Sequence, residues 1–137
     1  MQLVIAVSIF TVFGSAVAEA RATRTQSPSL AGTYSNLSYN EEGGDLLGLE
    51  LKIVPWGERY RAAVLVSEGS PSRMVVVDVR VKDRVVSFEV PPSGPDADDG
   101  FSFRGTQGKQ NLTGTITYAS GSKERVTLTR QCGYWDR

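Results

Sequence analysis

Arg73-Met74-Val75-Val76-Val77-Asp78-Val79-Arg80-Val81-Lys82-Asp83-Arg84-Val85-Val86-Ser87-Phe88-Glu89-Val90 decides the fold. From Arg73 to Val81, Val75, Val77, Val79 and Val81 fall on one side of an extended chain, and Met74, Val76, Asp78 and Arg80 on the other. Successive side chains of a strand point to opposite faces, so this segment is a strand with a wholly aliphatic inner face. Lys82-Asp83 supplies a tight polar turn, and a second strand returns from Arg84 to Val90 with Val86, Phe88 and Val90 inward. Valine is stiff at χ1, which crowds a helix and suits a pleated surface. The stretch is a β-hairpin.

The pattern repeats in both directions. Toward the N-terminus, strands are expected over Gly32 to Ser38, Asp45 to Val54 and Arg59 to Ser67. Leu47, Leu49, Leu51 and Ile53 share one face of the second, and Tyr60, Ala62, Val64 and Val66 one face of the third. Asn40 to Gly44, Pro55 to Glu58 and Glu68 to Ser72 read as turns. Toward the C-terminus, a long turn from Pro91 to Gly100 leads to strands over Phe101 to Thr106, Asn111 to Ala119 and Lys123 to Arg130. No segment carries apolar residues at helical spacing over three turns. Eight short-linked strands predict an all-β, antiparallel up-and-down meander closed into a barrel, because closure leaves no exposed edge. A two-sheet β-sandwich is the alternative. Gly48, Gly105 and Gly114 fall inside strands and mark places where a small barrel bends.

Composition narrows the function. Lys plus Arg and Asp plus Glu number 15 each, so the formal charge is zero, unlike the basic balance of a nucleic-acid binder. There is no histidine, which removes the usual general base near neutral pH, the Ser-His-Asp arrangement and nearly all zinc sites. The chain therefore reads as a non-enzyme with no cofactor and no metal. With one cysteine, no disulfide can form within the chain, and the fold must hold by packing.

The N-terminus supplies an address. Met1 to Ala18 is an apolar run ending in small residues, and Ala16-Val17-Ala18 and Ala18-Glu19-Ala20 both fit a signal-peptidase site. We read residues 1–20 as a signal peptide cleaved near Ala18 or Ala20, giving a periplasmic or secreted protein that does not span the membrane. A retained anchor is the alternative, for which the run is short. Residues 21–30 read as a flexible lead-in, 31–130 as the barrel and 131–137 as an aromatic tail.

Leu30-Ala31-Gly32-Thr33-Tyr34, Val86-Ser87-Phe88-Glu89-Val90, Phe103-Arg104-Gly105 and Leu112-Thr113-Gly114-Thr115-Ile116 carry a resemblance to the calycin group, and within it to short lipocalin-like domains of exported bacterial proteins. Lipocalins open with Gly-x-Trp and set a late arginine over that ring. Here Gly32-x-Tyr34 stands in the first place and Arg130 in the second. The resemblance implies a cation–π contact between Arg130 and Tyr34 that closes the barrel base, and a ligand held in the interior. The lipocalin Thr-Asp-Tyr motif is absent, and two tryptophans, Trp56 and Trp135, do not make an avidin-like biotin site.

Tyr60, Phe88, Phe101, Phe103 and Tyr118 are the candidate ligand-binding residues, since they fall at strand spacing with the apolar sets. They equally suit a filled core. Cys132 is a candidate for a disulfide between two chains, giving a monomer or a Cys132-linked dimer, and packing of the tail is the plainer alternative. Asp96-Ala97-Asp98-Asp99-Gly100 lacks the spacing of a calcium loop and reads as a solvated turn. Two functions follow: a binder of a small hydrophobic ligand, or a filled barrel that binds a protein partner through its loops or tail.

Overall fold

The computed structural model describes residues 29–131. The proposed signal peptide, most of the lead-in, Cys132 and the rest of the aromatic tail lie outside them. Nine strands run in order: β1 (Gly32–Ser35), β2 (Ser38–Asn40), β3 (Asp45–Trp56), β4 (Arg59–Gly69), β5 (Pro71–Lys82), β6 (Val85–Val90), β7 (Phe101–Gln107), β8 (Asn111–Tyr118) and β9 (Lys123–Gln131). From β3 to β9 each strand pairs antiparallel with the next, and β1 pairs with both β9 and β3. That double pairing closes an eight-stranded antiparallel barrel, with β2 outside the ring. The expected meander is therefore present, and the chain is all-β over the described residues.

One expected strand is broken. Gly32 to Ser38 is not continuous: β1 stops at Ser35 and β2 starts at Ser38, although both follow one register along β3, from Gly32 opposite Ile53 to Asn40 opposite Asp45. Asn36 explains the break. Its N–H donates to the Leu49 carbonyl (3.1 Å), but the Leu49 N–H donates to the Asn36 side-chain Oδ1 (2.7 Å). A side-chain oxygen thus accepts the bond from Leu49, and the chain can peel away from β9 with that donor satisfied. Gly48 makes room: its φ is +118°, and a Cβ there would stand 2.8 Å from the Asn36 carbonyl oxygen.

Turns are tighter than the sequence suggests. Pro55 and Trp56 belong to β3, which leaves Gly57-Glu58 as the turn into β4. The β5–β6 turn is Asp83-Arg84, one residue later than expected, with φ of +50° and +67°. Two left-handed residues match the twist of a two-residue hairpin, though neither is glycine. The strain is held by a return pair. Arg84 Nη2 donates to the Gln107 carbonyl (2.7 Å), and the Gln107 N–H donates to the Arg84 carbonyl (2.9 Å).

Inside, side chains alternate as read, except at strand ends, where Leu47 and Val81 are exposed. Leu49, Leu51 and Ile53 of β3, Ala62 and Val64 of β4, Val77 and Val79 of β5 and Val86, Phe88 and Val90 of β6 are buried. Gly105 and Gly114 face each other across β7 and β8. A Cβ on either would come within 2.8 Å of Phe103 Cζ. The glycines therefore form a floor on which the Phe103 ring lies, and that ring stacks on Phe88 at 5.1 Å.

Candidate functional site

The meander puts alternate turns at opposite ends. The β2–β3, β4–β5, β6–β7 and β8–β9 connections share one end, the mouth; the start of β1 and the end of β9 share the other, the base.

The base is filled. Tyr34 is 1% exposed, and its hydroxyl donates to the Leu30 carbonyl (3.0 Å). The Arg130 guanidinium lies 5.7 Å from the centre of the Tyr34 ring. Its Nη1 donates to the Ser29 carbonyl (3.1 Å) and its Nη2 to the Ala31 carbonyl. Leu30, inside the expected lead-in, is buried at 3% exposure. Burial raises the Tyr34 pKa, and the Arg130 charge pulls against that rise.

The mouth is hollow. A cavity of about 560 Å³ occupies this end, walled by apolar side chains that include Leu49, Val64, Val66, Phe101, Ile116 and Val126. Its rim carries Glu68, Asp98, Asp99 and Glu124. The Tyr118 hydroxyl donates to Glu124 Oε2 (2.8 Å). The Tyr118 pKa is pushed up to about 12, first by burial, then by that hydrogen bond and by the negative charges of Glu124 and Glu68. Ser67, buried beside the cavity, is already satisfied through its donation to the Leu46 carbonyl (2.8 Å).

Four of the five aromatic candidates are linked ring to ring, since Phe88 meets Phe101 edge-on at 6.5 Å, but they divide between two hollows, and Tyr60 stands apart. Phe101 and Tyr118 line the cavity, their rings 6.2 Å apart. Phe88 and Phe103 stack in the core and border a separate hollow at the wall near Val77 and Asp78. There β5 and β6 pair only from Arg80 opposite Ser87 to Lys82 opposite Val85. Tyr60 is partly buried against the core near the base, where it pairs with Pro55 and Val79.

Of the rim, the sequence singles out Asp98 and Asp99, as a solvated turn, and leaves Glu68 and Glu124 unmarked. The inward series of β9 is Glu124, Val126, Leu128 and Arg130, a charge at each end of an apolar pair. A charged residue on the inner parity of a barrel strand signals a strand end that opens to water or meets a partner. It was available for Glu124 as it was for Arg130. On the outer wall, Trp56 is 61% exposed and Arg61 lies 4.9 Å from its ring centre while pairing with Asp78 (3.0 Å).

Among the described residues, no group of three or more Cys, Asp or Glu stands together as a metal site, and no helix is long and apolar enough to cross a membrane. No protein-family model matches the chain, and no curated protein or solved structure matches it.

Proposed function

We propose that this chain is an exported, lipocalin-like carrier that holds a small apolar molecule in the mouth of its barrel. The observation that carries the reading is a cavity of about 560 Å³ with apolar walls inside a barrel whose opposite end is packed shut. Binding pockets for small molecules span about 300–1,000 Å³ and have mostly apolar linings with few polar groups. Burial of about 200 Å² of apolar ligand surface supplies about 5 kcal/mol before the cost of immobilisation. Phe101 and Tyr118 offer ring faces, and Glu68 and Glu124 offer polar partners at the entrance. The chain has no histidine, which favours holding a molecule over transforming it. Export rests on the apolar N-terminal run, and the lipocalin-like relation on the Gly32-x-Tyr34 opening with Arg130 across from it.

Native mass spectrometry of protein recovered from its host without organic solvent tests the reading. The expected result is a small mass lost on denaturation and lost also from a Val66→Trp variant, whose indole would occupy the cavity. A bare mass that also fails to take up an apolar dye would overturn it.

A second reading has its own support. The exposed Trp56 with Arg61 and Asp78 beside it has the residue types that dominate protein interfaces. A barrel acting through a protein partner would use this outer corner, and Trp56→Ala would abolish that binding without changing stability.

A further inference from the structure

The inference concerns the charge of the ligand and rests on the cavity being the binding site. The walls of the mouth are apolar, but among the described residues the charged groups that meet a ligand's exposed end are of one sign. Glu68, Asp98 and Glu124 line the cavity, and no described lysine or arginine does. Asp99 is engaged within its own loop, where it accepts from the Ser93 N–H (2.7 Å), and the argument does not use it. Glu124 projects from the inner face of β9 and accepts one hydrogen bond, from Tyr118. Its second carboxylate oxygen keeps further acceptor capacity. Among the described residues no cation forms an ion pair with Glu68, Asp98 or Glu124. The compensating positive charge on the inner face of the same strand, Arg130, is at the far end of the barrel.

The geometry points to an amphiphilic cation: an apolar body that fills the cavity and an ammonium or similar group that stays at the rim among Glu68, Asp98 and Glu124. The two halves of the recognition have separate physical origins. Burial of the body is non-directional and indifferent to the head group. The rim carboxylates sit at the edge of a low-dielectric cavity, where like charge is repelled and opposite charge attracted more than in open water. An anionic fatty acid of the same body would have its carboxylate placed against three others.

Calorimetric titration of the intact protein with decylammonium, decanol and decanoate tests this, because the three share one body and differ in charge. The expected order is decylammonium first, about five- to tenfold tighter than decanol, with decanoate weakest, at the scale of one or two partly solvated ion pairs. The preference should shrink in high salt. In a Glu68→Gln/Glu124→Gln variant the ratio of decylammonium to decanol should fall toward one. Equal binding of all three, or a preference for decanoate, would overturn the charge inference and leave the cavity reading standing. Binding of none of the three would overturn both.

Discussion

Replacing Arg130 by methionine removes a guanidinium and keeps most of its aliphatic stem, so the loss measures the charge and its hydrogen bonds rather than packing. Three interactions go: Nη1 to the Ser29 carbonyl, Nη2 to the Ala31 carbonyl, and the guanidinium over the Tyr34 ring at 5.7 Å. Hydrogen bonds from a charged donor contribute about 1.5–3 kcal/mol each, but the Ser29 carbonyl belongs to an exposed residue and regains water, so only the Ala31 bond counts in full. The cation–π contact adds about 0.5–1 kcal/mol at a partly exposed site. The three share one side chain and do not sum independently, which places the loss at about 2–3 kcal/mol. For a domain of this size each kcal/mol lowers Tm by about 4–8 °C, so the variant should melt about 10–20 °C lower. Urea unfolding followed by circular dichroism reads the change directly. Tyr34→Phe is the companion: it deletes one buried hydroxyl bond to Leu30, worth about 1 kcal/mol, and leaves the guanidinium a ring to lie on. An Arg130→Met loss below about 0.5 kcal/mol, with unchanged denaturant dependence, would mean that the base is held by apolar packing alone and would refute the reasoning.

Gly114→Ala places a Cβ 2.6 Å from the Arg104 carbonyl oxygen and 2.8 Å from Phe103 Cζ, so the ring stacked on Phe88 must lift. A loss of about 2–3 kcal/mol is expected in the same urea assay, and a neutral result would show that the Phe103 ring can yield. Alkaline titration tests the mouth: Tyr118 titrates near 12 in the folded barrel, above the ordinary value of 10. Because the folded state holds that proton more tightly, Tyr118 contributes stability that is full below pH 10 and lost as pH rises toward 12. Spectrophotometric titration should find Tyr34 and Tyr118 both above the ordinary range, with only the Tyr118 step moving down in Glu124→Gln; an unmoved Tyr118 step would break the link between the two residues.

The strands were legible because inward and outward residues alternate over most of β3 to β9, with one register shift in β4 between Leu65 and Ser67. Val77 and Val79 admit one register, since a slip of one residue would turn both to water and bring Asp78 and Arg80 inward. The break between β1 and β2 was not legible, because Asn36 there accepts the Leu49 N–H through its side chain, and no periodicity marks such a substitution. Alternation also says which side of a strand is inside but not how far from its end. That is why Tyr60, Phe88, Phe101, Phe103 and Tyr118 looked alike, although Phe101 and Tyr118 reach the cavity and Phe88 and Phe103 fill the wall. In sequence the glycines at 105 and 114 mark bends, whereas the Phe103 ring they support is a tertiary contact that only the paired strands create.

The last junction of the ring has a kinetic consequence. Every pairing from β3 to β9 joins neighbours along the chain, but Arg130 and Gln131 reach Ser29, Ala31 and Ser35 across sequence separations of 96 to 101 residues. The entropy of closing so long a loop must be spent before the contact returns anything, so the ribbon should form first and the circle last. Until then β9 and the outer side of β1 are bare edges, open to a neighbouring chain. Joining residues 29 and 131 by a short linker and opening the chain at Asp83-Arg84 would make the β1–β9 contact local and pass the long-range closure to β5 and β6, so such a circular permutant should keep the same barrel but close it last between β5 and β6.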